Sequence, residues 1–173
     1  PIRRMQAFLN QSFLAEGRQI PHLNNTEEEI FDIKQFVKQT FLRKESGQIR
    51  RPPVSDNGDL ATLTYAAQVM EWFKPKITVV NMNAIDVCHG DFTGYLKALH
   101  RGDHGVGWLW SYIQNNIPDM RDNTIMIIMP EHGRNLEPNP IIDTNNWYCY
   151  DHDGDLNSRR MWSLMVGPNV PEG

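Results

Sequence analysis

A chain of 173 residues, 40% hydrophobic and 22% charged, is long enough for one domain with a real core and too apolar to be disordered. The formal net charge of −4, without a long run of one sign, argues against a surface that binds nucleic acid, which would show a basic patch. No stretch approaches the ~20 apolar residues that cross a bilayer, and two cysteines, Cys88 and Cys149, are too few for a disulfide framework. The chain begins at Pro1 with no signal peptide after it, so a piece of a longer protein is expected.

Taken in order, the first 25 residues suggest only a short helix at 2–15. Thr26 and Glu29 have the spacing of a capping box, and Ile30, Ile33, Phe36, Val37, Phe41 and Leu42 then recur at helical spacing. Arg50-Arg51-Pro52-Pro53 to Gly58 reads as a linker, because proline cannot continue a helix. This places a helical segment and linker at 1–55 and a second domain at 56–173. A helix is expected from Asp59 to Phe73, ended by Lys74-Pro75. The β-branched run Ile77-Thr78-Val79-Val80 predicts a buried strand, as do 124–129 and 162–166. Two amphipathic helices, 92–100 and 106–117, should lie between the first two strands, with Asp91 and Asp103 as N-caps. Strand, helical crossover and strand together predict an α/β fold, a mostly parallel sheet flanked by helices.

In such sheets ligands bind beyond the carboxyl ends of the strands. Asp86, Cys88, His89 and Asp91 follow the first predicted strand, Glu131-His132-Gly133-Arg134 follow the second, and Asp151-His152-Asp153 precede the third. Three of the six histidines fall there, each within three positions of a carboxylate. Imidazole with carboxylate suits Zn²⁺ or Mn²⁺, whereas Ca²⁺ wants oxygen alone. A single Asp–His pair is usually a cap or surface ion pair; three at three strand ends point to a shared metal site. His22, His100 and His104 are assigned to helix surfaces or loops, and Trp108, Trp110, Trp147 and Trp162 to packing. Asp151, Asp153 and Asp155 alternate as in a calcium loop, but Leu156 stands where an EF-hand needs glycine.

The order Lys74-Pro75, apolar strand, Asp86 to His89, helix, Asn123-Thr124 and strand, Glu131-His132-Gly133, His152, strand, Gly167-Pro168 resembles the C-terminal half of the alkaline phosphatase superfamily. That group includes phosphatases, nucleotide pyrophosphatase/phosphodiesterases, phosphomutases and sulfatases, and the match covers residues 60 to 173. The resemblance implies an incomplete alkaline phosphatase-like domain with two divalent metal ions, zinc or manganese. Asp86, His89 and His152 would hold one ion, Glu131 and His132 the other. Glu131 stands where the family usually has aspartate, and Asp91 is an alternative ligand to His89, whose spacing from Asp86 is one residue shorter than usual. The histidines suit the zinc- or manganese-using branches better than calcium-dependent sulfatases. The family's nucleophile has no counterpart before Asp86 and is expected upstream of Pro1, so the chain alone should be inactive.

The activity implied is hydrolysis of phosphate monoesters or diesters at a two-metal site. Arg134 would contact a phosphate oxygen, its plainer alternative being a pair with Glu137 or Asp143. A non-catalytic metal-binding or interaction domain of the same fold is the alternative. The resemblance leans toward a periplasmic or exported protein, and a sheet edge left uncovered would favour self-association.

Overall fold

The computed structural model describes residues 25–54 and 58–171. The expected helix at 2–15, and His22, lie outside the described residues. Two compact units meet at Ile49/Arg50.

In the first unit, helix α1 (Glu27–Glu45) opens with the reciprocal cap expected of Thr26 and Glu29. The Glu29 N–H donates to Thr26 Oγ1 at 3.2 Å and the Thr26 N–H donates to Glu29 Oε2 at 2.7 Å. Acidic residues fill its first turn, and Arg43 and Lys44 fill its last, which complements the helix dipole. None of its residues is buried.

The second unit runs through α2 (Gly58–Phe73), a 3-10 helix (Ala84–His89), α3 (Phe92–Asn116), α4 (Pro118–Arg121), β1 (Met126–Ile128), a second 3-10 helix (Leu156–Arg159) and β2 (Leu164–Val166). Leu60, Leu63, Ala67 and Met70 line one face of α2 and pack against Leu109, Tyr112 and Ile113 of α3 and Ile117 just beyond it. Burying each large side chain contributes about 1.5–3 kcal/mol, so this helix pair carries most of the unit's hydrophobic stabilisation. The close approach needs Gly105. A Cβ there would lie 2.6 Å from Leu63 Cδ1 and 2.7 Å from Leu60 Cδ2.

The sheet departs from the expected α/β architecture. The described residues are mostly helical, and their strands form a two-stranded antiparallel sheet, not a mostly parallel one. Met126 pairs with Val166, Ile127 with Met165 and Ile128 with Leu164. The chain returns from β1 to β2 through loops and one short 3-10 helix, and antiparallel strands need no helical crossover. Residues 77–80 are not part of a strand. Thr78 and Val80 turn partly inward, Val80 against the helical core, while Ile77 and Val79 are 83% and 81% exposed. The run therefore keeps the period of a strand without a partner, and the same alternation leaves Ile125, Ile127 and Met129 exposed along β1. The two amphipathic helices are one continuous α3, in which Asp103 is an interior surface residue. Asp91 does cap α3, accepting from the Gly94 N–H at 2.8 Å. Among the described residues no helix is long and apolar enough to cross a membrane.

A buried carboxylate fastens the start of α3 to the 139–149 loop. Asp143 Oδ2 accepts from Thr93 N–H (2.8 Å) and Thr93 Oγ1 (2.7 Å), and Oδ1 accepts from the Asn145 and Trp147 N–H groups (2.8 and 3.0 Å). Burial works to raise this carboxyl, but the bonds from Trp147, Thr93 and Asn145 outweigh it and lower its pKa to about 2. A carboxylate held below its unfolded value of ~3.9 stabilises the fold above that pH and loses the effect as pH falls toward about 2. Thermal midpoints followed by circular dichroism should drop through this window. In Asp143→Asn the midpoint should already be lower at neutral pH and its fall through the window shallower; an unchanged acid profile would refute the role given to Asp143.

Candidate metal centre

The 3-10 helix that carries Asp86 and His89 is tied down at both ends. Asp59, 6% exposed at the start of α2, accepts from the Asn83 N–H through Oδ1 (2.8 Å) and from the Ala84 N–H through Oδ2 (3.0 Å). At the other end the Tyr150 N–H donates to Cys88 O (3.2 Å), and Asn139 Nδ2 donates to His89 O (3.0 Å). Asp86 and His89, three apart on this helix, bring His89 Nε2 to 3.3 Å from Asp86 Oδ1. Burial pushes the Cys88 thiol between them up.

His132 follows β1 and is placed by the glycine beside it. The Gly133 N–H donates to Ser158 O at 2.8 Å, so the backbone runs directly against the second 3-10 helix. A Cβ at residue 133 would fall 2.2 Å from Asn157 O and 2.6 Å from Arg160 O. His132 Nδ1 lies 2.8 Å from Gly133 O, an acceptor only, which makes Nδ1 the protonated nitrogen and leaves the Nε2 lone pair for another partner.

The third segment uses its alternating aspartates as struts. Asp151 Oδ1 receives His89 Nδ1 at 2.6 Å and Asn139 Nδ2 at 3.1 Å; Asp153 receives Asn135 Nδ2 at 2.7 Å. Asp155 accepts the Leu136 N–H at 2.8 Å and caps the second 3-10 helix through the Asn157 N–H at 2.7 Å. The bond from His89, then that from Asn139, hold Asp151 below the usual carboxylate range against the opposing pull of burial. His152, set between these struts, lies with its ring centroid 3.8 Å from that of His132 and 4.8 Å from that of His89.

Three segments distant in sequence thus meet. Donor atoms of Asp86, His132 and His152 all lie within 4.8 Å of one another. Asp86 and His152 come from one expected ligand set and His132 from the other. His89 borders the group, with Nδ1 held by Asp151 and Nε2 turned to Asp86. Glu131 is exposed and outside it, and Asp91 is engaged as the cap of α3. Arg134 pairs with Asp86 rather than with Glu137 or Asp143, its Nη2 3.4 Å from Asp86 Oδ1 and its Nη1 3.3 Å from His89 Nε2. Its other contacts, to Tyr150 O and Ile85 O, are also 3.4 Å. Every one of these is long for a hydrogen bond, so the guanidinium is loosely held.

Two imidazoles and a carboxylate are the donor set of a zinc-type ion. Donors on a tetrahedral zinc sit ~3.3 Å apart, given bonds of ~2.0–2.1 Å, so the three donors, now within 4.8 Å of one another, would have to draw closer around an ion. The cleft of about 360 Å³ alongside is lined by Glu137, Asp151, Asp153 and Asp155 and would repel an anion, so it is not a phosphate seat. Sequence reasoning overlooked Asp59, Asn139 and the strut role of Asp151. Only Asp151, next to His152, carried a local signal.

Gly133→Ala should cost at least ~2 kcal/mol, since two backbone carbonyls block the new methyl. Gly154→Ala, with nothing within 4 Å of the added carbon, serves as control. Urea unfolding of both variants measures the difference, and equal stabilities would contradict the contact described. The chain matches no known protein family, no curated protein and no solved structure.

Proposed function

We propose that the chain supplies the metal-binding part of a hydrolase acting on phosphate esters. The observation that supports this is the convergence of the Asp86, His132 and His152 donors. A carboxylate and two neutral imidazoles give a divalent ion one compensating negative charge and leave room for a further ligand, as catalytic rather than structural sites do. His89 joins as a fourth ligand or stays beside them, oriented in either case by the Asp151 carboxylate at 2.6 Å. A bound zinc ion would polarise a phosphoryl oxygen and lower the pKa of a coordinated hydroxyl or water.

The chain's own residues do the rest. Arg134 partly neutralises Asp86 through a long contact of 3.4 Å. With Asp86 committed to a cation, the planar guanidinium of Arg134 would be free to face an anion, and its fork suits two phosphoryl oxygens. The His132 tautomer is preset by Gly133 O, so no proton has to move for Nε2 to act as a ligand. The reading assigns no nucleophile. It needs one ion at the three converging donors, and a second at Glu131 is an outcome of the titration.

Metal analysis and zinc titration of the chain test the first half. At least one equivalent should bind. His132→Ala and His152→Ala should each weaken binding at least tenfold, and Asp151→Ala by ~10–100-fold through loss of its hold on His89. Unchanged affinity in both histidine variants would overturn the site. Inorganic phosphate tests the second half: it should bind the zinc-loaded chain and bind about tenfold more weakly to Arg134→Ala. Zinc binding without phosphate binding would favour the alternative, a non-catalytic metal-binding domain.

A further inference from the structure

Cys88 and Cys149 lie on the two segments that carry most of the candidate ligands. Cys88 stands between Asp86 and His89, and Cys149 precedes Asp151 and His152. Both are fully buried, 1% and 0% exposed, and both are free thiols. Their backbones are held side by side. The Tyr150 N–H donates to Cys88 O at 3.2 Å, the Cys149 N–H donates to Ile141 O at 3.0 Å, and the Asn139 N–H donates to Cys149 O at 2.8 Å. Standard bond lengths on either side of the Tyr150–Cys88 contact put the two Cα atoms no more than ~8 Å apart. The disulfide window of ~4.4–6.8 Å lies inside that limit.

We propose that Cys88 and Cys149 are a disulfide-forming pair whose bond staples the Asp86/His89 helix to the Asp151/His152 segment. The oxidant is a small-molecule disulfide. One cysteine thiolate attacks a sulfur of oxidised glutathione, forming a mixed disulfide and expelling one glutathione thiolate. The second cysteine attacks the mixed disulfide at the protein sulfur and expels the other. Two protein thiols are oxidised to one S–S bond, one glutathione disulfide is reduced to two thiols, and the two protons pass to the released thiolates. Burial confines the exchange to transient local opening, and the Tyr150–Cys88 backbone bond sets the partner choice. The bond does not depend on the metal reading; its consequence, a covalent tie between two ligand-bearing segments, rests on it.

The full chain is incubated with oxidised glutathione in denaturant well below its unfolding midpoint, then unfolded and alkylated. Intact mass and peptide mapping give the result. Most of the chain should lose the mass of two hydrogens, resist alkylation at both cysteines and yield a peptide joining 88 to 149. Cys149→Ser should instead retain glutathione on Cys88. A wild-type chain that retains glutathione, forms a disulfide-linked dimer, or is alkylated at both cysteines overturns the proposal. Zinc titration of the linked chain is read separately: a link that forms without zinc binding counts against the metal centre alone.

Discussion

Asp59 contributes nothing to the proposed coordination, yet the centre depends on it. Its two oxygens accept the backbone N–H groups of Asn83 and Ala84, where the extended segment after residue 77 turns into the 3-10 helix. A buried carboxylate is stable only when hydrogen bonds replace its water shell, and two N–H donors at 2.8 and 3.0 Å do so here. Because Asp59 belongs to α2, which is packed into the core through Leu60 and Leu63, the position of Asp86 and His89 is referred directly to the buried core of the unit. Asp143 plays the same part for α3, and Asp155 for the second 3-10 helix. Asp59 thus holds the segment that carries Asp86 and His89, while Asp143 and Asp155 hold elements that border the ligand-bearing loops.

The same construction explains why so little sheet suffices. The helix pair α2 and α3 supplies the core, and Val80, Met82 and Met126 lean on it from the extended segments. The opposite sides of those segments, with Ile77, Val79, Ile125, Ile127 and Met129, remain exposed. The ligand-bearing loops are fixed by side-chain to backbone bonds and by single backbone pairs such as Gly133 N–H to Ser158 O, instead of by neighbouring strands. Their accuracy therefore rests on a few polar contacts, several of them to a single aspartate.

Features encoded locally were legible in the sequence. The Thr26–Glu29 cap, the periodicity of α1, the helix ended by Lys74-Pro75, the Asp91 cap and the three histidine-bearing segments all follow from residues a few positions apart. Features that depend on distant partners were not. The run 77–80 has the composition of a strand, but strand formation requires a second chain segment alongside, which composition does not specify. The direction of β2 could not be read, because a strand's residues look alike in either orientation. Asp103 resembled an N-cap because caps and exposed helical aspartates share a residue type, and only packing makes α3 continuous. Asp59 read only as the start of a helix beside a linker, since its partners lie 24 and 25 residues away.

The account turns on imidazole nitrogen and carboxylate oxygen from three separated segments meeting one cation. X-ray absorption at the zinc edge of the loaded chain examines that directly. The account predicts a shell of nitrogen and oxygen at ~2.0–2.1 Å with the multiple scattering of at least two imidazoles, lost in part in His132→Ala. A sulfur shell near ~2.3 Å from Cys88 or Cys149, or an oxygen shell without imidazole, would contradict it.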